Sequence, residues 1–163
     1  MSAPYLRRVD RGDITAVAAL ERTCFAEPWP PVAFAQFVEA EGFLVAIDPE
    51  RRPPTGGPPD GALAGYVVTT PSSEAPTSVA HVRDIAVAPA YRRQGLASRL
   101  LERSLAVYAP RGLTRVRLEV RASNEPAIAL YRKLGYCPTR RIPQYYADGE
   151  TAIVMERALD SPG

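Results

Sequence analysis

The sequence predicts an α/β chain of the α+β kind, in which a mixed, mostly antiparallel sheet of about six to seven strands carries about four helices. Three observations predict it. Apolar runs or alternations over Phe43 to Ile47, Leu63 to Thr69 and Val79 to Val87 read as three consecutive strands, an antiparallel meander. After Pro89 the apolar period changes from two to that of a helix. A strictly alternating strand, with Val116, Leu118 and Val120 set between Arg115, Arg117, Glu119 and Arg121, then leads into another helix and a closing hairpin.

Arg7 and Arg8 lie in a short strand-like segment at the start of the chain. Ile14, Val17, Ala18, Leu20 and Phe25 follow Asp10 to Asp13 at helical spacing, and those aspartates suit a helix N-terminus. Pro28, Pro30 and Pro31 break that helix, and Phe34, Phe37 and Val38 mark a short second one from Pro31. The first two meander strands are joined by Asp48 to Asp60, a Pro/Gly/Arg-rich stretch unfit for a regular element and read as a flexible hairpin insertion over 48–60. Pro71 to Thr77 makes the next turn. Leu96, Ala97, Leu100, Leu101, Leu105 and Tyr108 form the stripe of the third helix. Ser123 and Asn124 are cap candidates for the fourth, which carries Pro126 in its first turn and stops at Gly135. Tyr136 to Ile142 and Thr151 to Met155 close the chain as a hairpin around Asp148 and Gly149.

A chain of 163 residues suits one domain, 1–163, with a tail at 159–163. No apolar run approaches the ~20 residues of a membrane span, and Met1 to Asp10 lacks the pattern of a secretory signal. The formal charge of +2 is small and its basic residues are scattered, which argues against nucleic-acid binding. Cys24 and Cys137 have neither CxxC spacing nor a histidine cluster, so no disulfide framework and no metal site are expected, and a cytoplasmic setting fits.

Two constellations carry chemistry. In the first, Arg92, Arg93, Gln94, Gly95, Leu96, Ala97 and Ser98 sit where a buried strand turns into a helix. Gly95 permits close backbone approach, and the free N–H groups of a first helical turn suit a pyrophosphate. Neither Gly-Lys-Ser/Thr nor GxGxxG is present, which removes the main support for nucleotide hydrolysis or dinucleotide binding. Arg92, Gly95 and Ala97 match the Gln/Arg-x-x-Gly-x-Gly/Ala pattern, and the segment resembles the acetyl-CoA motif of the GNAT superfamily. That resemblance implies a sheet whose strands splay at the acetyl-CoA site. It also implies that the backbone of Ile85, Ala86 and Val87 pairs with the pantetheine arm and polarises the thioester, while residues 93 to 98 hold the pyrophosphate.

The second constellation reads LEVR from Leu118, SN at Ser123 and Asn124, AIALY from Ala127 to Tyr131, and LGY from Leu134. It resembles the RimI group of ribosomal-protein alanine N-acetyltransferases and the archaeal protein N-terminal acetyltransferases. Phe25, Pro28 and Trp29 match that group's early F-x-x-P-W pattern, and Tyr145 to Glu150 its late YY-x-DGE turn. The resemblance implies a protein or peptide N-terminus as substrate, a ribosomal protein among the candidates, with Phe25, Pro28, Trp29, Tyr145 and Tyr146 binding it. Glu119 then accepts the amine's proton through water, Tyr131 serves the departing sulfur, Asn124 contacts pantetheine, and His81 assists the glutamate as its counterpart does in archaeal relatives. Arg83 and Asp84 stand where many relatives carry smaller or uncharged residues.

The residues themselves leave plainer readings open. Glu119 also suits an ion pair with Arg117 or Arg121, Tyr131 a core aromatic, Asn124 a helix cap, and the four aromatic residues core or surface positions. At the level of function, acetylation of a small amine or a lysine side chain, or a silent acyl-CoA sensor, keeps the same cofactor motif. The sequence fixes no oligomeric state.

Overall fold

A computed structural model describes residues 3–72 and 78–159. Most of the Pro71 to Thr77 turn and of the C-terminal tail therefore lies outside the described residues.

Seven strands and four helices are present among the described residues: β1 (Tyr5–Arg8), α1 (Ile14–Cys24), α2 (Pro31–Ala35), β2 (Leu44–Asp48), β3 (Ala62–Pro71), β4 (Val79–Val87), α3 (Leu96–Leu105), β5 (Arg115–Arg121), α4 (Glu125–Lys133), β6 (Cys137–Ile142) and β7 (Ala152–Ala158). The sheet order is β1-β2-β3-β4-β5-β7-β6. β4 and β5 are parallel, and β1/β2, β2/β3, β5/β7 and β6/β7 are antiparallel. The expected mixed, mostly antiparallel sheet is what forms. Boundaries move by small amounts: the first meander strand runs Leu44–Asp48 rather than Phe43 to Ile47, and α3 ends at Leu105, short of Tyr108, which leads into a 3₁₀ turn at Ala109–Arg111. Pro110 within that turn removes the amide a longer helix would need.

The chain forms two compact units, 1–70 with 83–107 and 71–82 with 108–163. In the first, α1 and α2 pack on the meander strands around Val17, Phe34, Phe43, Ile47, Tyr66 and Val68. Asp10 and Asp13 open α1 as expected, with Asp13 Oδ2 accepting the Asp10 N–H at 2.7 Å. Arg7 joins that aspartate to the insertion, reaching Asp13 Oδ2 at 2.8 Å and Asp60 Oδ2 at 2.7 Å. Gly65 on β3 is set by close approach, since a Cβ there would lie 2.8 Å from Ala86 O on β4.

In the second unit, β5 turns Val116, Leu118 and Val120 inward and Arg117, Glu119 and Arg121 to its half-exposed face, as alternation requires. β7 lies between β5 and β6, pairing Glu119 with Val154 and Arg141 with Ile153. Asn124, not Ser123, caps α4: its side-chain oxygen accepts the Ala127 N–H at 3.2 Å.

Candidate active site

The turn from β4 to α3 leaves backbone donors without intrahelical acceptors. Gly95 stands at the N-cap of α3 in the left-handed region, φ 76°, and Arg93 is also left-handed at φ 64°. A glycine adopts that conformation at no steric cost, whereas an arginine there is uncommon and held by its surroundings. The first helical bond back to the cap is Arg99 N–H to Gly95 O at 3.1 Å. The amides before it have no intrahelical acceptor, and Gly95 has no side chain with which to cap them. Leu96 is buried and anchors the turn, Ala97 and Ser98 are half-buried, and Arg92, Arg93 and Gln94 are exposed.

Arg92 folds back on this turn, with Nε 3.0 Å from Val87 O and Nη2 3.4 Å from Cys24 Sγ. Tyr91, at the entry to the turn, donates to Asp48 Oδ2 at 2.6 Å, and the guanidinium carbon of Arg51 lies 6.0 Å from the centre of its ring. Asp48 is held below the ordinary carboxylate value, first by that tyrosine hydrogen bond. Along β4, the Ala88 N–H just past the strand reaches Ala64 O on β3 at 2.8 Å, and the Ile85 N–H is taken at 2.9 Å by the Oδ1 of its own neighbour Asp84.

The second unit holds the titratable groups that the resemblance singles out. His81 Nε2 lies 2.6 Å from Glu119 Oε1, each side chain only 12% exposed, and Arg117 Nε lies 3.3 Å from Glu119 Oε2. β4 brings His81 here because its pairing with β5 covers Val79, Ala80 and His81 against Arg115, Val116 and Arg117. Burial works to raise the Glu119 pKa, but the His81 hydrogen bond and the charges of His81 and Arg117 outweigh it, so the carboxyl lies below its ordinary value. The carboxylate is therefore the form present at neutral pH. It accepts, and His81 donates.

Arg121 does not share that carboxylate. Its Nη1 bonds Asp148 Oδ2 and Glu150 Oε1, each at 2.9 Å, and its guanidinium lies 4.2 Å from the centre of the Tyr146 ring. Glu150 Oε2 also accepts the Ser123 N–H at 2.9 Å, so the late acidic turn is pinned to the end of β5. Tyr145 and Tyr146 meet edge to face at 5.0 Å, with Tyr145 46% exposed. Burial first, then the charges of Tyr145 and Glu119, raise the Tyr146 pKa to about 12, against the opposing pull of Arg121.

Tyr131 is buried on α4, 5.7 Å edge to face from Tyr136. Asn124 is occupied as a cap. In the first unit Phe25 is exposed, while Trp29 packs on Phe34 and Phe37 with ring centres 5.1 and 5.8 Å away. Pro28 is exposed between them. The structure thus brings His81, Glu119 and Arg117 together, groups Tyr145 and Tyr146 with Arg121, and makes Trp29 partly a core residue.

The Acetyltransferase (GNAT) family profile matches residues 14–136. The chain belongs to this family. It is an acetyltransferase by that membership, and the profile runs across both units. It is 34% identical to an N-alpha-acetyltransferase of Saccharolobus solfataricus, over 94% of this chain and 92% of that protein. It is 33% identical to the N-alpha-acetyltransferase RimI of Mycobacterium tuberculosis, over 93% and 90%. Among solved structures, the ribosomal-protein-S18-alanine N-acetyltransferase of Escherichia coli superposes with a TM-score of 0.76 at 30% identity, covering 98% of this chain and 96% of that one. No helix among the described residues is long and apolar enough to cross a membrane.

For a GNAT enzyme the unanticipated features of this chain are two. Arg117, rather than Arg121, shares Glu119, which the pairing pattern of β5 did not distinguish because both stand two residues away on one face. The other is a pair of neighbouring acids, buried Glu21 and half-buried Asp84, whose Oδ2 is buried. Ile14, Val17, Ala18 and Glu21 share one helical face, so the spacing carried the signal that Glu21 turns inward.

Proposed function

We propose that the chain transfers the acetyl group of acetyl-CoA directly to the N-terminal α-amine of a protein or peptide, in a ternary complex and without a covalent enzyme intermediate. Residues 1–163 act as one domain in this reading, within the cytoplasm, and a ribosomal protein is among the candidate substrates by likeness to the S18-alanine enzyme.

The residues of the first unit fit acetyl-CoA. The uncapped amides of Gly95 to Ser98 suit its pyrophosphate, with Arg93 and Gln94 flanking them, and the Ile85 to Val87 backbone suits its pantetheine arm. Bound acetyl-CoA supplies an activated thioester carbonyl. Glu119, aligned by His81, takes the proton that the attacking amine loses, through a water. The new N–C bond forms as the C–S bond breaks, and Tyr131 gives the departing sulfur a proton or a hydrogen bond. The net change is one acetyl group from sulfur to nitrogen and one proton the other way. In the first unit exposed Phe25 with Pro28 and Trp29, and in the second exposed Tyr145 with Tyr146, are assigned to the peptide substrate.

The observation that carries the α-amine reading is the state of Glu119. A carboxylate held below its ordinary pKa by His81 and Arg117 is a weak base. An α-amine of pKa about 8 is about a tenth neutral at pH 7 and needs little help, whereas a lysine of pKa about 10.4 is neutral in well under a thousandth of molecules, a difference of about 3 kcal/mol. The test is acetylation kinetics on short peptides with free or blocked α-amines, each with a lysine. Acetylation confined to the free α-amine supports the reading, and acetylation of the lysine in blocked peptides overturns it.

A further inference from the structure

Asp84 stands beside the strand segment assigned to the thioester, and its Oδ2 is buried with no hydrogen-bond partner. A lone buried carboxylate is costly, and a proton removes the cost. Glu21, 2% exposed on α1, and the Tyr66 hydroxyl on β3 are the groups within its reach. Glu21 accepts at both oxygens: from the Tyr66 hydroxyl at Oε1, and from the Trp29 N–H at Oε2, 2.9 Å away. Asp84 uses its other oxygen to hold the Ile85 N–H at 2.9 Å. Two hydrogen-bonded pairs, Ile85 with Asp84 and Trp29 with Glu21, therefore end on neighbouring carboxyl groups within one unit of the protein, and a proton on Asp84 Oδ2 would join them into one chain.

We propose that Asp84 is a positioning residue for the peptide side of the reaction, which donates a proton-bearing hydrogen bond to Glu21 and so holds the Phe25 to Trp29 turn in its peptide-receiving conformation. The inference rests on the reading that this turn receives the peptide. An aspartic acid here ties that turn to β4 through a single proton.

The surroundings keep the proton in place. Tyr66 on β3 remains a hydroxyl because burial drives its pKa far up, and burial likewise raises the thiol of Cys24 on α1. Arg92 is the cation of the group, and its guanidinium is directed at Cys24 and Val87 O. Burial, then the hydrogen bond and charge of Glu21, push the Asp84 pKa up to about 9. The folded protein thus retains a proton that the unfolded chain releases near 3.8. The stability this group contributes is full below that value and falls as pH rises through about 9, where two facing carboxylates repel and the hold on the Trp29 amide weakens.

Trp29 is the sole tryptophan, so its fluorescence reports the turn without reference to activity. In the wild type a one-proton transition in emission centred near 9 is expected. Asp84→Asn, whose amide donates to Glu21 at every pH, should abolish that transition, keep the peptide KM within about twofold, and flatten the fall in Tm between neutral and alkaline pH. Asp84→Leu, which cannot donate, should raise the peptide KM about tenfold and leave the acetyl-CoA KM within about twofold. The same alkaline transition in Asp84→Asn, or equal rises in both KM values for Asp84→Leu, would overturn the proposal. Should Asp84→Leu not fold, the wild-type and Asp84→Asn titrations decide alone. Should no peptide be acetylated at all, the functional reading fails and the titrations still decide the role of the proton.

Discussion

Two of the turns that join a strand to a helix, those before α4 and before α3, end differently. At the start of α4 the Asn124 side chain accepts the Ala127 amide, and the helix serves its own first turn. At the start of α3 the cap is Gly95, left-handed and without a side chain, and the amides of Leu96 to Ser98 have no intrahelical acceptor. The contrast teaches where the chain commits stability and where it commits function. A capped start is worth about 1 kcal/mol to the fold, while an uncapped start on a ten-residue helix keeps its dipole and amides for an anion. The groups around each turn follow suit: backbone at α3, and titratable side chains such as His81, Glu119 and Tyr131 in the unit that holds α4.

Substitutions that exchange the character of these regions should separate binding from chemistry. The largest effect is expected at Glu119, where Glu119→Gln removes the proton acceptor and should lower kcat by about a hundredfold or more while acetyl-CoA affinity by calorimetry is kept. Tyr131→Phe should lower kcat about tenfold with KM values little changed, and loss of fold rather than rate would make this tyrosine only a core aromatic. Gly95→Val places a β-branched residue in the left-handed region, and should raise the acetyl-CoA KM about tenfold with kcat nearly intact. The smallest effect belongs to Asn124→Ala, expected to cost about 1 kcal/mol, or a fall in Tm of about 2–4 °C, by calorimetry. An acetyl-CoA KM raised as far as by Gly95→Val would give Asn124 the ligand role instead of the cap alone.

The pH dependence should follow the substrate. Because the Glu119 carboxyl lies below its ordinary value, it is ionised throughout the range above that value and loses its form only as pH falls through its folded pKa. With the neutral α-amine, kcat/KM for a peptide should therefore rise about tenfold from pH 6 to 7 and about fivefold from pH 7 to 8.

Periodicity made much of the fold legible. The alternation of Arg115 to Arg121 predicts both β5 and the half-exposed face on which Glu119 stands, and the Asn124 to Gly135 punctuation predicts α4. Periodicity could not say that β7 inserts between β5 and β6, because strand order depends on long-range pairing that local pattern does not encode. Nor could it say which arginine meets Glu119: Arg117 and Arg121 are equivalent by spacing, and the nearby Tyr146, Asp148 and Glu150 draw Arg121 away. His81 is a lone histidine by pattern and an assistant to Glu119 only by resemblance, and the short parallel pairing of β4 with β5 brings it to that carboxylate. For Trp29 the sequence left both a wall aromatic and a core position open; its ring packs on Phe34 and Phe37, and its amide is held by Glu21, a contact that no local pattern encodes.

The central claim is direct transfer to an α-amine with both substrates bound, and its most direct test is the affinity of two conjugates measured by titration calorimetry. One joins coenzyme A through an acetyl bridge to the α-amine of a short peptide, and the other joins it to the side-chain amine of a lysine in the same peptide, blocked at its N-terminus. Joining two bound ligands in their reacting geometry makes the second binding event intramolecular, so the α-linked conjugate should bind about a hundredfold or more tighter than coenzyme A alone. The lysine-linked conjugate should gain little over coenzyme A. Equal affinities, or a stronger gain for the lysine-linked form, would contradict the account.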